Sequence, residues 1–252
     1  MKRIVRGALL PVLAFALWEI GSRAGFLPMD TFSRPSDIAV AFAAGVADGS
    51  IPLSTWQTVQ AALFGFAIAA AAGILVGVIL GLSPLLERTV GPSIEALRPV
   101  PAVALTPLTL LLFGFGLRME AAVVAFACIW PVLLVTVAAV RGIEPRLLEV
   151  AQTLELTFAA CLRKIILPAA LGRIVVGLRV AVSISLIVAV TVEIVMNPRG
   201  LGYGMIIAQQ SLQPALMYAQ LLWLGLLGWG LNRLLTRTVG QWHGAFGPGV
   251  SA

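Results

Sequence analysis

Charge is scarce in this chain. Of its 252 residues, 17 are Lys or Arg and 11 are Asp or Glu, so 11% are charged, against about 25% in an ordinary soluble domain. That deficit excludes a water-soluble fold. Histidine is almost missing too. The single residue, His243, lies in the tail, so a His-based metal centre or a Ser-His-Asp triad would have to involve that tail, and neither is expected. The only lysines are Lys2 and Lys164, and neither sits in a Gly-x4-Gly-Lys-Ser/Thr loop. Without that loop there is no phosphate cradle, so the chain is not expected to hydrolyse ATP or to act as an enzyme. Two cysteines, Cys128 and Cys161, are too few for a disulfide framework and read as small apolar fillers.

What the chain does contain is apolar: 60% of residues, 25 Gly, 15 Pro and a mean hydropathy of +1.00. The length accommodates about six membrane-spanning helices of roughly 20 residues and leaves nothing for a separate catalytic domain. No charge occurs between Asp48 and Glu87, Arg98 and Arg118, Glu120 and Arg141, or Arg199 and Arg233. A charge at mid-bilayer costs a few kcal/mol, so each interval can hold a span. These intervals and two weaker apolar stretches predict spans near 7–22, 58–82, 101–117, 121–140, 174–196 and 214–232.

Positive charge orients the set. With both ends cytoplasmic, Arg23, Arg34, Arg118 and Arg199 fall outside and the other 13 Lys and Arg fall inside. Such a bias is the positive-inside pattern, and it makes the net charge of +6 a matter of bilayer orientation, with no nucleic-acid partner expected. Ala14-Phe15-Ala16 resembles a signal-peptide cleavage site. The retained helix is the preferred reading, because such tripeptides arise by chance in Ala-rich chains.

Two segments outside the spans are informative. Pro-Ser-Asp at 35–37 opens an amphipathic helix with Ile38, Phe42 and Val46 spaced four apart. On the other side, the loop 141–173 predicts a helix-turn-helix. Pro145 opens the first helix, placing Leu147, Ala151 and Leu154 on one face. Thr157 caps the second, which presents Phe158, Leu162 and Ile165 or Ile166, with Arg163 and Lys164 opposite. Pro168 is expected to separate this pair from the next span. An apolar stripe on such a loop needs a partner, either lipid headgroups or another protein.

Glu149-Val150-Ala151, Glu155 four residues on, and Ile165-Ile166-Leu167-Pro168 keep the spacing of the cytoplasmic "EAA" signature. The chain resembles the permease subunits of binding-protein-dependent ABC importers. Leu97-Arg98-Pro99-Val100-Pro101, Gly177-Leu178-Arg179, Glu193 and Gly200-Leu201-Gly202-Tyr203 extend the likeness to the nitrate/sulfonate/taurine branch, over roughly residues 55 to 242. The resemblance implies an all-α integral membrane fold in the bacterial inner membrane, a six-helix permease bundle with a cytoplasmic coupling helix-turn-helix. It also implies a small anionic solute of the sulfonate, taurine or nitrate class. Implied partners are cytoplasmic ATP-binding subunits that use ATP and Mg, a second permease copy, an extracytoplasmic solute-binding protein and membrane lipid. Glu149, Ala151 and Leu154 would dock the ATPase, with Glu155 and Ile165 in the same signature, and Leu167 and Pro168 would set the return to the membrane. Glu155 departs from the pattern, since the family usually has Gly there. A Gly suggests positive φ, so either the turn differs here or Glu155 makes a new polar contact.

Arg179 and Glu193 lie about 21 Å apart along one helix, less than the roughly 30 Å hydrocarbon core. Arg179 is expected to snorkel to the cytoplasmic headgroups. For Glu193, a place at the outer rim and a role as a gate stand as equal alternatives. In span 58–82 the small residues Gly73, Gly77 and Gly81 predict close helix approach. The rival class is an ion-gradient-driven carrier or channel. Coupling in carriers generally uses ionisable residues within spans, and these spans offer only the Arg179 and Glu193 pair.

Overall fold

The computed structural model describes residues 2–25 and 32–245, with side chains placed at residue 10 and over 13–25 and 32–234. Every regular element among them is helical. The chain divides into two compact units, Met1–Thr58 with Glu193–Leu227, and Val59–Val192 with Gly228–Ala252.

The second unit is organised by two parallel helices. The first is α3 (Ser50–Leu82), which enters the unit at Val59, and the other is α6 (Leu117–Arg141). A Cβ added at Gly65, Gly73, Gly77 or Gly81 would come 2.6–2.9 Å from the β-carbons of Val124, Val132, Thr136 and Val140 respectively. Residue numbers rise together along the four contacts with constant separation, so the helices run in the same direction. The predicted Gly stripe is thus a backbone-to-backbone seam of the small-x3-small kind. Two parallel neighbours require the chain to recross between Leu82 and Leu117.

That recrossing corrects one expectation. In place of a straight span over 101–117, the chain forms α4 (Pro84–Leu97), a 3-10 turn (Ala102–Leu105) and α5 (Thr106–Phe113), with a bend of 85° between α4 and the segment Ala102–Phe113. The latter rises only about 18 Å, too little for the hydrocarbon core. The cause lies in the backbone. Pro99 and Pro101 remove N–H donors at the bend, and Gly114 ends α5 at φ 71°, two residues before Gly116 at φ 116°.

A third helix, α9 (Leu167–Val195), lies antiparallel to α6. A Cβ at Gly177 would stand 3.0 Å from that of Val135, while four residues on, the Cys128 thiol donates to the Ala181 carbonyl at 3.2 Å. Val78, Ala139, Val140, Ile166, Ala170 and Ile174 form one buried cluster here. Arg141, the last residue of α6, pairs with Glu87 at 2.5 Å.

The second correction is at Pro168, which does not break the chain away from the membrane helix. A π turn (Leu162–Ile166) runs directly into α9, and the N–H of Leu167 reaches back to the Leu162 carbonyl. Pro168 therefore sits just past the junction of the π turn and α9 without interrupting the helix. From Phe158 to Val195 the helical path is continuous over 38 residues.

The first unit contains α1 (Lys2–Arg23), α2 (Pro35–Ala47), the start of α3, α10 (Gly200–Gln210) and the start of α11 (Pro214–Ala245). The amphipathic helix predicted from Ile38, Phe42 and Val46 is α2, with Pro35 in its first turn and Ile38 buried. Glu19 ties α2 to α1, accepting from the Ser36 N–H at 3.1 Å and its hydroxyl at 3.0 Å while pairing with Arg23 at 2.6 Å.

Among the described residues four helices are long and apolar enough to cross a membrane: Ser50–Leu82, Leu117–Arg141, Phe158–Val195 and Pro214–Leu234. The bent pair is a broken fifth. The expected segment 7–22 lies within α1.

Candidate functional site

The loop between α6 and α9 folds as a corner. Its first arm, α7 (Pro145–Thr153), starts on Pro145, whose fixed φ suits a first helical position. Its end is fully bonded: the Glu155 N–H donates to the Gln152 carbonyl at 2.9 Å and the Leu156 N–H to the Ala151 carbonyl at 3.0 Å. These are the two bonds of a Schellman cap, which needs a left-handed residue just past the helix. Glu155 takes that conformation with φ 48°. Of the two expectations for this position, the altered turn is excluded: the corner keeps the geometry that favours Gly and forces Glu into it. The second arm, α8 (Phe158–Cys161), is capped by Thr157, whose hydroxyl accepts from the Ala160 N–H at 3.4 Å.

The exposed surface of the corner differs in one residue from the expected face. Glu149, Leu154 and Glu155 are exposed, but Ala151 is buried and cannot be touched by a partner. Ala151 lies on the inner side of α7, which packs on the π turn. The outer side shows Val150, Leu154 (64% exposed) and Phe158 (70% exposed), flanked by Leu147. Ile165, Leu167 and Pro168 are half-buried where the corner joins α9, with Arg163 and Lys164 exposed. The Arg173 guanidinium lies against Gly142 at the end of α6, where positive charge complements the helix dipole.

Glu155 predicts a measurable strain. A non-Gly residue in the left-handed region costs on the order of 1 kcal/mol, so Glu155→Gly is expected to raise the unfolding midpoint by about 2–4 °C in a chain of this size. Thermal unfolding in detergent measures it, and an unchanged or lowered midpoint would show that the Glu side chain returns more than the strain removes.

The other two candidate residues share α9 but do different things. Arg179 is half-buried, and its Nε is buried without a hydrogen-bond partner. Glu193 is 1% exposed, and its carboxylate accepts from the Gly202 N–H at 2.7 Å. Two further side chains complete the same cap. The Gly200 N–H donates to Gln57 Oε1 and the Leu201 N–H to Thr58 Oγ1, both at 2.9 Å. The first three N–H groups of α10, which no helix can satisfy internally, thus all end on side chains. The arrangement gives Glu193 a place in which its charge meets the positive end of a helix.

Residues 53–240 match the family model described as "Binding-protein-dependent transport system inner membrane component". The chain belongs to that family. The permease is 29% identical to the permease protein SsuC of Bacillus subtilis (strain 168), named for aliphatic sulfonates transport, over 96% of this chain and 89% of that one. It is 30% identical to the taurine transport system permease protein TauC of Escherichia coli (strain K12), over 78% and 74% respectively. Among solved structures it resembles a chain of the MetNI methionine ABC transporter in an inward-facing conformation, with a TM-score of 0.67 and 20% identity, covering 77% of this chain and 94% of that one. The latter likeness shows the fold, an all-helical ABC importer permease.

For the permease, the sulfonate and taurine likeness places it in the branch that its motifs suggested. Sequence reasoning missed Gln57 and Thr58, which are 143 residues from the groups they cap. The one available signal was Gly200 with Gly202, small residues at a helix start. Val150 was also missed as a surface residue, although it stands four before Leu154 on one side of α7.

Proposed function

We propose that the permease forms half of the translocation path of an ATP-driven importer for a small anion of the sulfonate class, with the exposed stripe of α7 and α8 as the seat of a cytoplasmic ATPase subunit. The observation that carries this reading is the pairing of a rigid Schellman corner with an exposed apolar stripe of Val150, Leu154 and Phe158. A stripe held at a fixed angle can receive force; a flexible loop would absorb it. ATP and Mg belong to the partner, since this chain carries no P-loop lysine. Two permease copies enclose the path, both termini face the cytoplasm, and an extracytoplasmic binding protein delivers the solute. The sulfonate assignment is supported by the names of two relatives.

The test is Leu154→Asp. It places a charge in the stripe without touching the backbone bonds of the corner. Uptake into proteoliposomes is expected to fall more than tenfold and the ATPase subunit to be lost on purification in mild detergent, while membrane insertion is unchanged. Uptake by this chain alone, driven by an ion gradient, would establish a carrier instead.

A further inference from the structure

The first unit contains a groove of about 230 Å³ unrelated to the coupling corner. Its walls come from Phe15 of α1, Pro35, Ile38 and Phe42 of α2, and Leu222 and Trp223 of α11, and all of its lining side chains are apolar. Water gains nothing in such a space. An apolar surface of this kind is better covered by hydrocarbon than by water. The walls are preset. Phe42 packs on Trp223 with ring centroids 5.3 Å apart, and the Trp223 indole N–H is held by Thr55 at 2.8 Å. The groove opens where Phe15 and Leu226 are exposed, and Leu226 lies on a helix long and apolar enough to cross a membrane. At less than the roughly 300–1,000 Å³ of an ordinary small-molecule site, it suits one narrow chain.

A cation adjoins the groove along the chain. Arg34 immediately precedes the wall residue Pro35 and caps α2. Its Nε is buried with no hydrogen-bond partner, and it takes part in neither of the two ion pairs found among the described residues. The nearby Arg23, by contrast, is held by Glu19. A guanidinium outside any ion pair, one residue from the wall of an apolar groove, is complementary to a phosphodiester attached to an alkyl chain.

We propose that this groove binds one acyl chain of a bilayer phospholipid, with the lipid phosphate on Arg34. Native mass spectrometry of the full-length permease in its assembled complex, purified in mild detergent, tests it. The wild type is expected to retain about one phospholipid per copy. Arg34→Gln removes the phosphate partner, and Ala39→Phe fills the groove from the exposed side of α2; each is expected to lower retention at least fivefold, with Arg34→Lys largely restoring it. Phospholipid retention equal to wild type in both Arg34→Gln and Ala39→Phe overturns the proposal. So does a groove that retains only detergent or free fatty acid, insensitive to Arg34→Gln. Unaltered unfolding midpoints in the two variants separate lipid loss from misfolding.

Discussion

Gly77→Leu in α3 is expected to abolish accumulation of the folded permease. At Gly77 a Cβ would stand 2.6 Å from the Thr136 β-carbon and 3.0 Å from the Leu133 carbonyl, so the added side chain meets backbone as well as side chain. Flexible neighbours can step aside; a helix backbone cannot. Overpacking of an ordinary core costs about 1–3 kcal/mol. Here the same register repeats at Gly65, Gly73 and Gly81, so relief at one point would need the whole helix to withdraw and forfeit the other three contacts. The expected loss is therefore above about 3 kcal/mol, a large part of the 5–15 kcal/mol that stabilises a typical domain. Membrane-fraction immunoblotting and size-exclusion chromatography in detergent measure it. Gly225, which has open space around its Cβ position, provides the control. Gly225→Leu should accumulate normally, and equal loss in both variants would mean that helix propensity or insertion, and not the seam, controls the outcome.

Gly200→Val is expected to be comparably damaging for a different reason. Gly200 has φ 85°, and a Cβ there would collide with the Glu193 carboxylate. The substitution is strained in the backbone and expels a buried carboxylate from its donor. Backbone strain costs on the order of 1–3 kcal/mol, and a buried N–H deprived of its partner costs about 1–3 kcal/mol more. Glu193→Gln separates the two parts, because it keeps an acceptor oxygen for the Gly202 N–H and leaves Gly200 alone. The unfolding midpoint should fall steeply in Gly200→Val, modestly in Glu193→Gln, and to an intermediate degree in Glu193→Leu. Should Glu193→Gln abolish uptake with its midpoint near that of the wild type, the carboxylate charge would have a role in transport beyond holding α10.

The parts that sequence reasoning reached and missed divide along a physical line. Local devices were legible. Pro35 and Pro145 at helix starts, Thr157 as a cap and the Gly stripe of α3 each depend on residues a few positions apart, whereas the left-handed demand at position 155 came from the family pattern, in which Gly is usual there. At the recrossing, Pro99, Pro101 and Pro107 mark irregular backbone before and inside the segment 101–117, but hydropathy alone does not show that the chain bends there by 85°. Pro168 misled in the opposite sense: taken alone it signals a helix boundary, but the π turn before it carries the helical path straight through. Ala151 was assigned to the docking face because three residues of α7 share a stripe. Which edge of that stripe turns inward depends on the π turn that α7 packs against, and no spacing within α7 reveals it. The α10 cap is joined by groups distant along the chain, so only the folded molecule brings them together.

The parallel seam between α3 and α6 has a mechanical consequence. Four glycines interlocked in one register, at intervals of eight, four and four residues, cannot slide a little; the shortest step to another matching position is four residues, about 6 Å. The pair is accordingly a single stiff beam whose end, at Arg141, is joined by three residues to α7. A force applied at α7 would tilt such a beam as one piece, and flexing would then fall on the segments outside the helices of the return crossing, between Leu97 and Ala102 and from Gly114 to Gly116.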